Sequence, residues 1–454
     1  MTAARVTLSL VRGRLDTAEY VFEERATCLL GRADDCSPRL PDDEHHRTVS
    51  RHHCLLDINP PAARIRDFGS LNGTYVNETR IGRREPGQTP EEASSSMFPE
   101  HDLADGDEIR LGDTVFRVGV TTGEQGPRRT LVLVHCTKCG RDLGDADGVE
   151  DYVCASCQAE PAAVLRLLLE LAKGGRRELA PIAGYELIRE LGRGGMGAVH
   201  LARHEATDEV VALKVMLPRV AASEQARARF LREVALTRAL RHPNIAALHD
   251  AGFGGGTFFF TMEYCSGGGL DDRLTKGPLP PDEAVSLIRQ VLAGLEHAHA
   301  HGVVHRDLSP GNILLRPRED GSTTAKVADF GLAKAFDQAG LSGLTRTGTA
   351  AGKPYFLSRR QVVNFRDATP IVDVWAAAAC LYRALSGTYP RDFPRGRDPW
   401  HVVLQEPAVP IRERGTEVPG DLAMVVDRAL REDPGEGYAT AREFAEALAT
   451  TTRS

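Results

Sequence analysis

The stretch His305-Arg306-Asp307-Leu308-Ser309-Pro310-Gly311-Asn312, followed by Val327-Ala328-Asp329-Phe330-Gly331, decides how this chain is read. Asp307 and Asn312 share one loop, and Asp329 comes in the next. The oxygen-bearing side chains of Asn312 and Asp329 suit Mg²⁺ (or Mn²⁺), a cation that prefers oxygen ligands and retains water. Asp307 is then placed to orient a hydroxyl and take its proton. Upstream, Leu191-Gly-Arg-Gly-Gly-Met-Gly-Ala-Val199 sets Gly192, Gly194 and Gly197 between two strand-like runs. Glycines let the backbone approach phosphates without a Cβ clash. Alone, this glycine pattern reads equally well as a dinucleotide-binding turn. Here Val211-Ala-Leu-Lys-Val-Met216 follows, so Lys214 can reach phosphates from the next strand. The helix-like run Phe230 to Ile245 offers Glu233 as a carboxylate to hold Lys214. A phosphate cradle, a cation, metal ligands and a base for an acceptor hydroxyl, in that order, are the parts phosphoryl transfer requires.

Met262-Glu-Tyr264, Val372-Asp-Val-Trp375 and Leu385-Ser-Gly387 extend the pattern. Over residues 184–450 the chain resembles the eukaryotic-like Ser/Thr protein kinases of bacteria. The resemblance implies a two-lobed α+β fold that binds ATP and Mg²⁺ between its lobes. Adenine would lie at Glu263 to Cys265, with Leu191, Val199, Ala212 and the glycines around the nucleotide. Transfer would be to Ser or Thr, the activity of a non-specific serine/threonine protein kinase. Arg306 before Asp307 matches members switched on by phosphorylation, which makes Thr345, Thr347 and Thr349 candidate phosphosites.

The chain departs from that family in two places. Ser309 stands where the family has Lys, and Gly352-Lys353 stands where it has Gly-Thr. These positions are neighbours in the family fold, so Lys353 is expected to supply the displaced charge beside Asp307. Ser358-Arg359-Arg360 replaces Ala-Pro-Glu, and Gly437 replaces the Arg that pairs with that Glu. Both partners have changed, which avoids stranding a lone Glu. Arg360 is therefore expected to find another carboxylate or face water. Lys214, Asp307, Asn312 and Asp329 are all present and favour an active enzyme. The alternative is a pseudokinase that serves as a phosphopeptide-binding scaffold.

The N-terminal segment has a different texture. Short apolar runs at 6–11, 53–58, 63–68 and 114–120 are separated by turn residues, as in an all-β sandwich. Leu29-Leu-Gly-Arg32, Ser50-Arg-His-His-Cys54, Ser70-Leu-Asn-Gly-Thr-Tyr-Val-Asn77 and the run 103–113 resemble the forkhead-associated (FHA) domain over residues 1–122. The resemblance implies loops that hold phosphothreonine, with Arg32, Ser50 and Arg51 on the phosphate and Asn72 on the peptide backbone. A dianionic phosphate wants forked donors and hydroxyls on ordered loops. His53 and Gly73 read as loop braces. Leu71 replaces the Ser or Thr common there, which removes one hydrogen bond to the phosphate. The activation loop, in cis or from a second copy, is one expected ligand.

Between these segments, Cys136, Cys139, Cys154 and Cys157 form two C-x₂-C knuckles within residues 131–160. That spacing signals a metal, and four thiolates make a closed, structural Zn²⁺ site. The module resembles a zinc ribbon; iron in a rubredoxin-like site is the alternative. Few basic residues surround it, so a spacer or protein contact is expected rather than nucleic acid. Residues 161–180 read as a helical linker that either docks on the kinase or spaces the domains. The formal net charge of −7 argues against a general polyanion binder. No run approaches the roughly 20 apolar residues of a membrane helix. The expectation is a cytoplasmic protein whose partners are protein substrates and phosphothreonine peptides.

Overall fold

The computed structural model describes residues 4–23, 26–34, 36–85, 88, 98–121, 133–136, 138–145, 153–175, 177–194, 197–217, 224–330, 332, 354–363, 369–394, 397–433 and 435–451. The N-terminal body uses strands β1 (Arg5–Arg12), β2 (Glu19–Phe22), β3 (Ala26–Leu30), β4 (Cys54–Asn59), β5 (Ala62–Asp67), β6 (Thr74–Val76), β7 (Thr79–Gly82), β8 (His101–Leu103), β9 (Glu108–Leu111) and β10 (Thr114–Thr121). One sheet runs β2-β1-β10-β9-β6-β7 and the other β3-β4-β5-β8. Alternation along the strands builds the core between them. Cys54, Leu56 and Ile58 of β4 pack inward with Val6, Leu8 and Phe116. Leu29, Leu55 and Arg66 fall on the opposite face, and the register sets them side by side: Leu29 pairs with Leu55, and Leu55 with Arg66.

The cysteine segment has a hairpin, β11 (Leu133–His135) with β12 (Asp142–Asp145), then α1 (Ala155–Gln158) and α2 (Pro161–Lys173). Proline in its first turn opens α2, where its missing N–H costs nothing. Val164, Leu165, Leu168, Leu169 and Ala172 form one buried stripe at helical spacing. That stripe packs on Ala202, Val211, Leu213 and Val215 of the next sheet, in one core with Cys136, Cys154 and Cys157. The segment 161–173 therefore docks.

The C-terminal body begins with β13 (Tyr185–Gly194), β14 (Gly197–His204) and β15 (Val210–Met216), followed by α3 (Glu224–Ala239), β16 (Leu248–Gly254) and β17 (Thr257–Glu263). These make an antiparallel sheet of order β13-β14-β15-β17-β16. On β15, Val211, Leu213 and Val215 face α2, while Ala212 and Met216 join Phe230 and Val234 of α3 on the other side. Next come α4 (Leu270–Leu274), α5 (Pro281–Ala300) and the hairpin β18 (Ile313–Pro317)–β19 (Thr323–Val327). Among the described residues the α-helices that follow are α6 (Arg359–Val363), α7 (Ile371–Ser386), α8 (Pro399–Gln405), α9 (Gly420–Ala429) and α10 (Ala441–Thr451). From Val372 to Leu385, α7 is buried at every residue but Arg383. A helix apolar all round is a core helix. Among the described residues no helix is long and apolar enough to cross a membrane.

The sandwich sits against the helical lobe. Leu29, Ala33, Cys36, Leu55 and Phe68 share an apolar cluster with Leu357, Val362, Val403 and Leu404. Arg66 Nη1 pairs with Asp398 Oδ2 at 2.6 Å, with both side chains under 10% exposed. The Phe68 ring stacks on His401 at 5.2 Å.

Candidate active site and phosphate-reading loops

The catalytic loop is held from below by Asp373 of α7, which is 1% exposed. Its Oδ1 accepts from Arg306 N–H (2.8 Å). Its Oδ2 accepts from His305 N–H (2.7 Å) and meets His299 Nε2 at 2.8 Å. The Asp307 N–H donates to His305 Nδ1 (3.2 Å), which leaves His305 Nε2 to donate to Ala328 O (2.9 Å). These bonds hold Arg306 at φ +67°, a conformation non-glycine residues rarely adopt. Sequence reading matched the Val372–Trp375 run but assigned Asp373 no role. A carboxylate inside an apolar helix was the available signal.

Lys214 Nζ pairs with Asp329 Oδ2 at 2.6 Å, across the cleft between the sheet and the helical lobe. Asp329 also has positive φ, +61°. Its Oδ1 is buried and meets no partner among the described residues. Asn312 donates its amide N–H to Asp307 O (2.7 Å), so its amide oxygen is the atom left to act as a ligand. A buried carboxylate oxygen that meets no donor among the described residues, with the Asn312 backbone carbonyl accepting from Ala328 N–H (2.9 Å) next to Asp329, fits a Mg²⁺ site made by Asn312 and Asp329. Glu233 lies on α3, but its side chain is outside the described residues, as are Lys353, Thr345, Thr347 and Thr349. Ser309 is buried, and its backbone carbonyl accepts from Asn312 N–H (2.9 Å).

Several residues that the sequence reading placed around a nucleotide lie together. Leu191 and Val199 pack half-buried against Ala212 and Met262 in one apolar cluster. A Cβ on Gly197 would come within 1.8 Å of the Val215 carbonyl oxygen, so glycine is required there by close approach. Glu263 is spanned by Arg316 (2.9 Å) and Lys326 (3.0 Å), which fixes the end of β17. Burial pushes the Cys265 thiol up to about 11, so it stays neutral.

The site of the altered Glu–Arg pair is rebuilt with other residues. Buried Arg391 pairs with Glu432, donates to Leu357 O (3.0 Å) and Glu406 O (2.8 Å), and lies over the Trp375 ring. Glu432 also accepts from Arg359 N–H (3.0 Å). Arg360 is half-buried, and no ion pair forms to it among the described residues. Of the two expectations for Arg360, a new carboxylate or water, the described residues show no carboxylate on it; the nearby Glu432 serves Arg391 and Arg359 N–H.

In the sandwich, Gly31 brings two loops together: a Cβ there would lie 2.0 Å from Arg51 O. Arg32 N–H donates to Ser50 O (3.2 Å) and Ala33 N–H to Arg51 O (2.9 Å). Arg32, Ser50 and Arg51 are thus set on adjoining backbone. Ser50 Oγ accepts from Leu71 N–H (2.9 Å), and Asn72 Nδ2 donates to Thr48 O (2.6 Å). The Arg32 guanidinium is already engaged, with Nε donating to Val49 O (2.6 Å) and Nη1 paired with Asp42. His53 is fully buried; its Nδ1 accepts from Ser50 N–H (3.0 Å), and its Nε2 bonds Gly73 O (3.1 Å). Burial pulls its pKa below the usual value and keeps it a neutral brace. Asp67, with no part in the sequence reading, accepts from Gly69 N–H, Ser70 N–H, Ser70 Oγ and Thr74 Oγ1 and so shapes the turn carrying Asn72.

The four Sγ atoms of Cys136, Cys139, Cys154 and Cys157 lie within 4.8 Å of one another. The Cys154 N–H donates to Cys136 Sγ (3.3 Å), and Gly140 takes φ +68° at the knuckle turn. A convergent, four-sulfur donor set fits a closed tetrahedral metal site.

The fold is a two-lobed body with a cleft between its lobes, joined to a β-sandwich. The protein kinase domain family model matches residues 185–437, more than half of the chain, and the FHA domain model matches residues 28–112. The chain belongs to the protein kinase domain family and carries an FHA domain. Among curated relatives, it is 33% identical over 271 residues to serine/threonine-protein kinase PknJ of Mycobacterium tuberculosis, covering 59% of this chain and 45% of that protein. It is 36% identical over 263 residues to PknD of the same species (58% and 38%). It is 34% identical over 273 residues to the probable kinase PknB of Lactococcus lactis (59% and 42%). The chain spans less than half the length of these relatives. Among solved structures, Rad53 in complex with AMP-PNP is 18% identical, with TM-score 0.49, covering 98% of this chain and 99% of that one. The kinase domain of M. tuberculosis PknI is 27% identical, with TM-score 0.44, covering 59% and 96%.

Proposed function

We propose that this chain is a non-specific Ser/Thr protein kinase that acts in the cytoplasm and reads phosphothreonine through its FHA domain. The observation that carries the reading is the Lys214–Asp329 pair, with the second oxygen of Asp329 meeting no partner among the described residues, next in the fold to the Asp307–Asn312 loop. ATP with Mg²⁺ supplies the electrophilic γ-phosphoryl group. Asn312 and Asp329 would hold the metal, and Lys214 would neutralise the phosphates. Asp307 orients the acceptor hydroxyl and takes its proton. Asp373 holds the His305–Arg306 backbone and His305 accepts from Asp307 N–H, so the loop bearing Asp307 is set before substrate arrives and little reorganisation remains for the reaction itself. Purified wild type and Asp307→Asn, each incubated with labelled ATP and Mg²⁺, test this. Label on wild type alone supports transfer, with phosphosites at Thr345, Thr347 or Thr349 identified by mass spectrometry. Equal label on both, or none on either while ATP binds, rejects it in favour of a scaffold.

Arg32, Ser50 and Arg51 would hold the phosphate of a phosphothreonine peptide, and Asn72 its backbone. Cys136, Cys139, Cys154 and Cys157 would hold a structural Zn²⁺. Elemental analysis of purified protein is expected to give zinc near one per chain; iron instead would assign a rubredoxin-like centre.

A further inference from the structure

We infer that the substrates of this kinase are proteins already carrying a phosphothreonine, held in the FHA loops while a second hydroxyl at a set spacing enters the site of Asp307. The inference rests on the functional reading above and adds its substrate class. It comes from where the sandwich is docked. Each phosphate-reading stretch abuts the seam with the helical lobe. Ala33, next to Arg32, is buried in the seam's apolar cluster. His52, next to Arg51, meets Gln405 of α8 (3.4 Å). Phe68, on the stacked pair with His401, leads directly into the turn bearing Asn72.

The kinase side of the seam is equally close to the chemistry. Leu357 and Val362 belong to segment 354–363 and pack against the sandwich. Between them, Gln361 Nε2 donates to Arg306 O, the residue before Asp307. The seam thus lies one residue from the phosphate ligands on one side. On the other it is one hydrogen bond from the catalytic loop.

The seam is also fixed. The Leu29–Leu55–Arg66 row is the outer face of a sheet, and Arg66 reaches a buried carboxylate that caps α8. A loose tether would deliver a bound peptide in many registers. A fixed seam delivers it in few, because each residue of extended chain spans only about 3.3–3.6 Å. In the transfer, the acceptor oxygen forms its bond to the γ-phosphorus, the bond to the β–γ bridging oxygen breaks, ADP leaves, and the proton passes to Asp307.

The test uses the full chain and peptides with one acceptor Ser and one phosphothreonine, placed from about three to about twelve residues away on either side. Unphosphorylated counterparts give the baseline. Priming is expected to raise kcat/KM about tenfold or more within a narrow window of spacings, and not outside it. Leu55→Glu, which puts a charge on the seam face of β4 and leaves the sandwich core untouched, should abolish the window while phosphopeptide binding by anisotropy persists. If Leu55→Glu loses that binding, Leu404→Glu cuts the seam from the kinase side. Three results overturn the inference: no gain at any spacing despite measured binding, a gain at all spacings that survives the cut, or a rise in unprimed activity on cutting. The last would make the seam a blockade. No transfer to any peptide, primed or not, would sink the kinase reading as well.

Discussion

At the scale of residues, the site depends on carboxylates that touch no substrate. Asp373 offers two oxygens to the Arg306 and His305 N–H groups and to His299. Asparagine keeps one oxygen and turns an N–H₂ toward a donor. Losing a charged hydrogen bond costs about 1.5–3 kcal/mol, so Asp373→Asn should lower kcat about tenfold to a hundredfold. ATP affinity should change little, because Lys214 and Asp329 are untouched. Steady-state kinetics separate the two, and an unchanged kcat would remove Asp373 from the argument. Asp42 acts in the opposite sense. It pairs with the Arg32 guanidinium proposed to hold the phosphate, and it is mostly exposed, so on that proposal phosphate must displace it. Asp42→Asn should tighten phosphothreonine-peptide binding severalfold, on the scale of an exposed ion pair. Titration by anisotropy would show it, and weaker binding would mean Asp42 positions Arg32 instead of competing for it.

At the scale of elements, α2 has become part of the kinase. Its buried stripe covers the outer face of the sheet whose inner face carries Lys214, so packing on one side bears on the proposed nucleotide site on the other. Leu168→Ala removes a side chain with no exposure from that layer and should cost about 2–5 kcal/mol. Thermal melts with and without ATP should show a lower transition, and an unchanged one would return α2 to the role of spacer. What the sequence disclosed follows the same division. The helix was legible because its apolar spacing is local, and its docking was not, because the partner residues lie on β14 and β15. Likewise the meeting of Lys214 with Asp329 and of Asn312 with Asp307 was legible because the sequence places these residue types in one ordered pattern. Asp67 escaped because its oxygens serve two backbone N–H groups and two nearby hydroxyls, Ser70 and Thr74, a local turn pattern that carries no mark of chemistry. The Arg391–Glu432 pair escaped because its partners are far apart in sequence and replace a familiar pair elsewhere.

At the scale of the whole molecule, sandwich and kinase meet through a seam no motif announced. The outward row Leu29, Leu55 and Arg66 would read as an ordinary exposed sheet face until α8 is placed over it. Its energetics rest on the Arg66–Asp398 pair, withdrawn from water on both sides. Removing one member of such a pair strands the other charge and costs about 3–5 kcal/mol, whereas neutralising both costs much less. Asp398 Oδ1 also accepts from Trp400 N–H (2.9 Å), a cap that asparagine preserves. Calorimetry of the full chain should therefore show sandwich and kinase melting together. Arg66→Met should split off an earlier transition for the uncoupled part. Arg66→Met with Asp398→Asn should restore much of the joint transition, since no buried charge is left alone. A single, unshifted transition in Arg66→Met would mean that the apolar cluster of Leu55, Phe68, Val403 and Leu404 holds the two bodies without help from the ion pair.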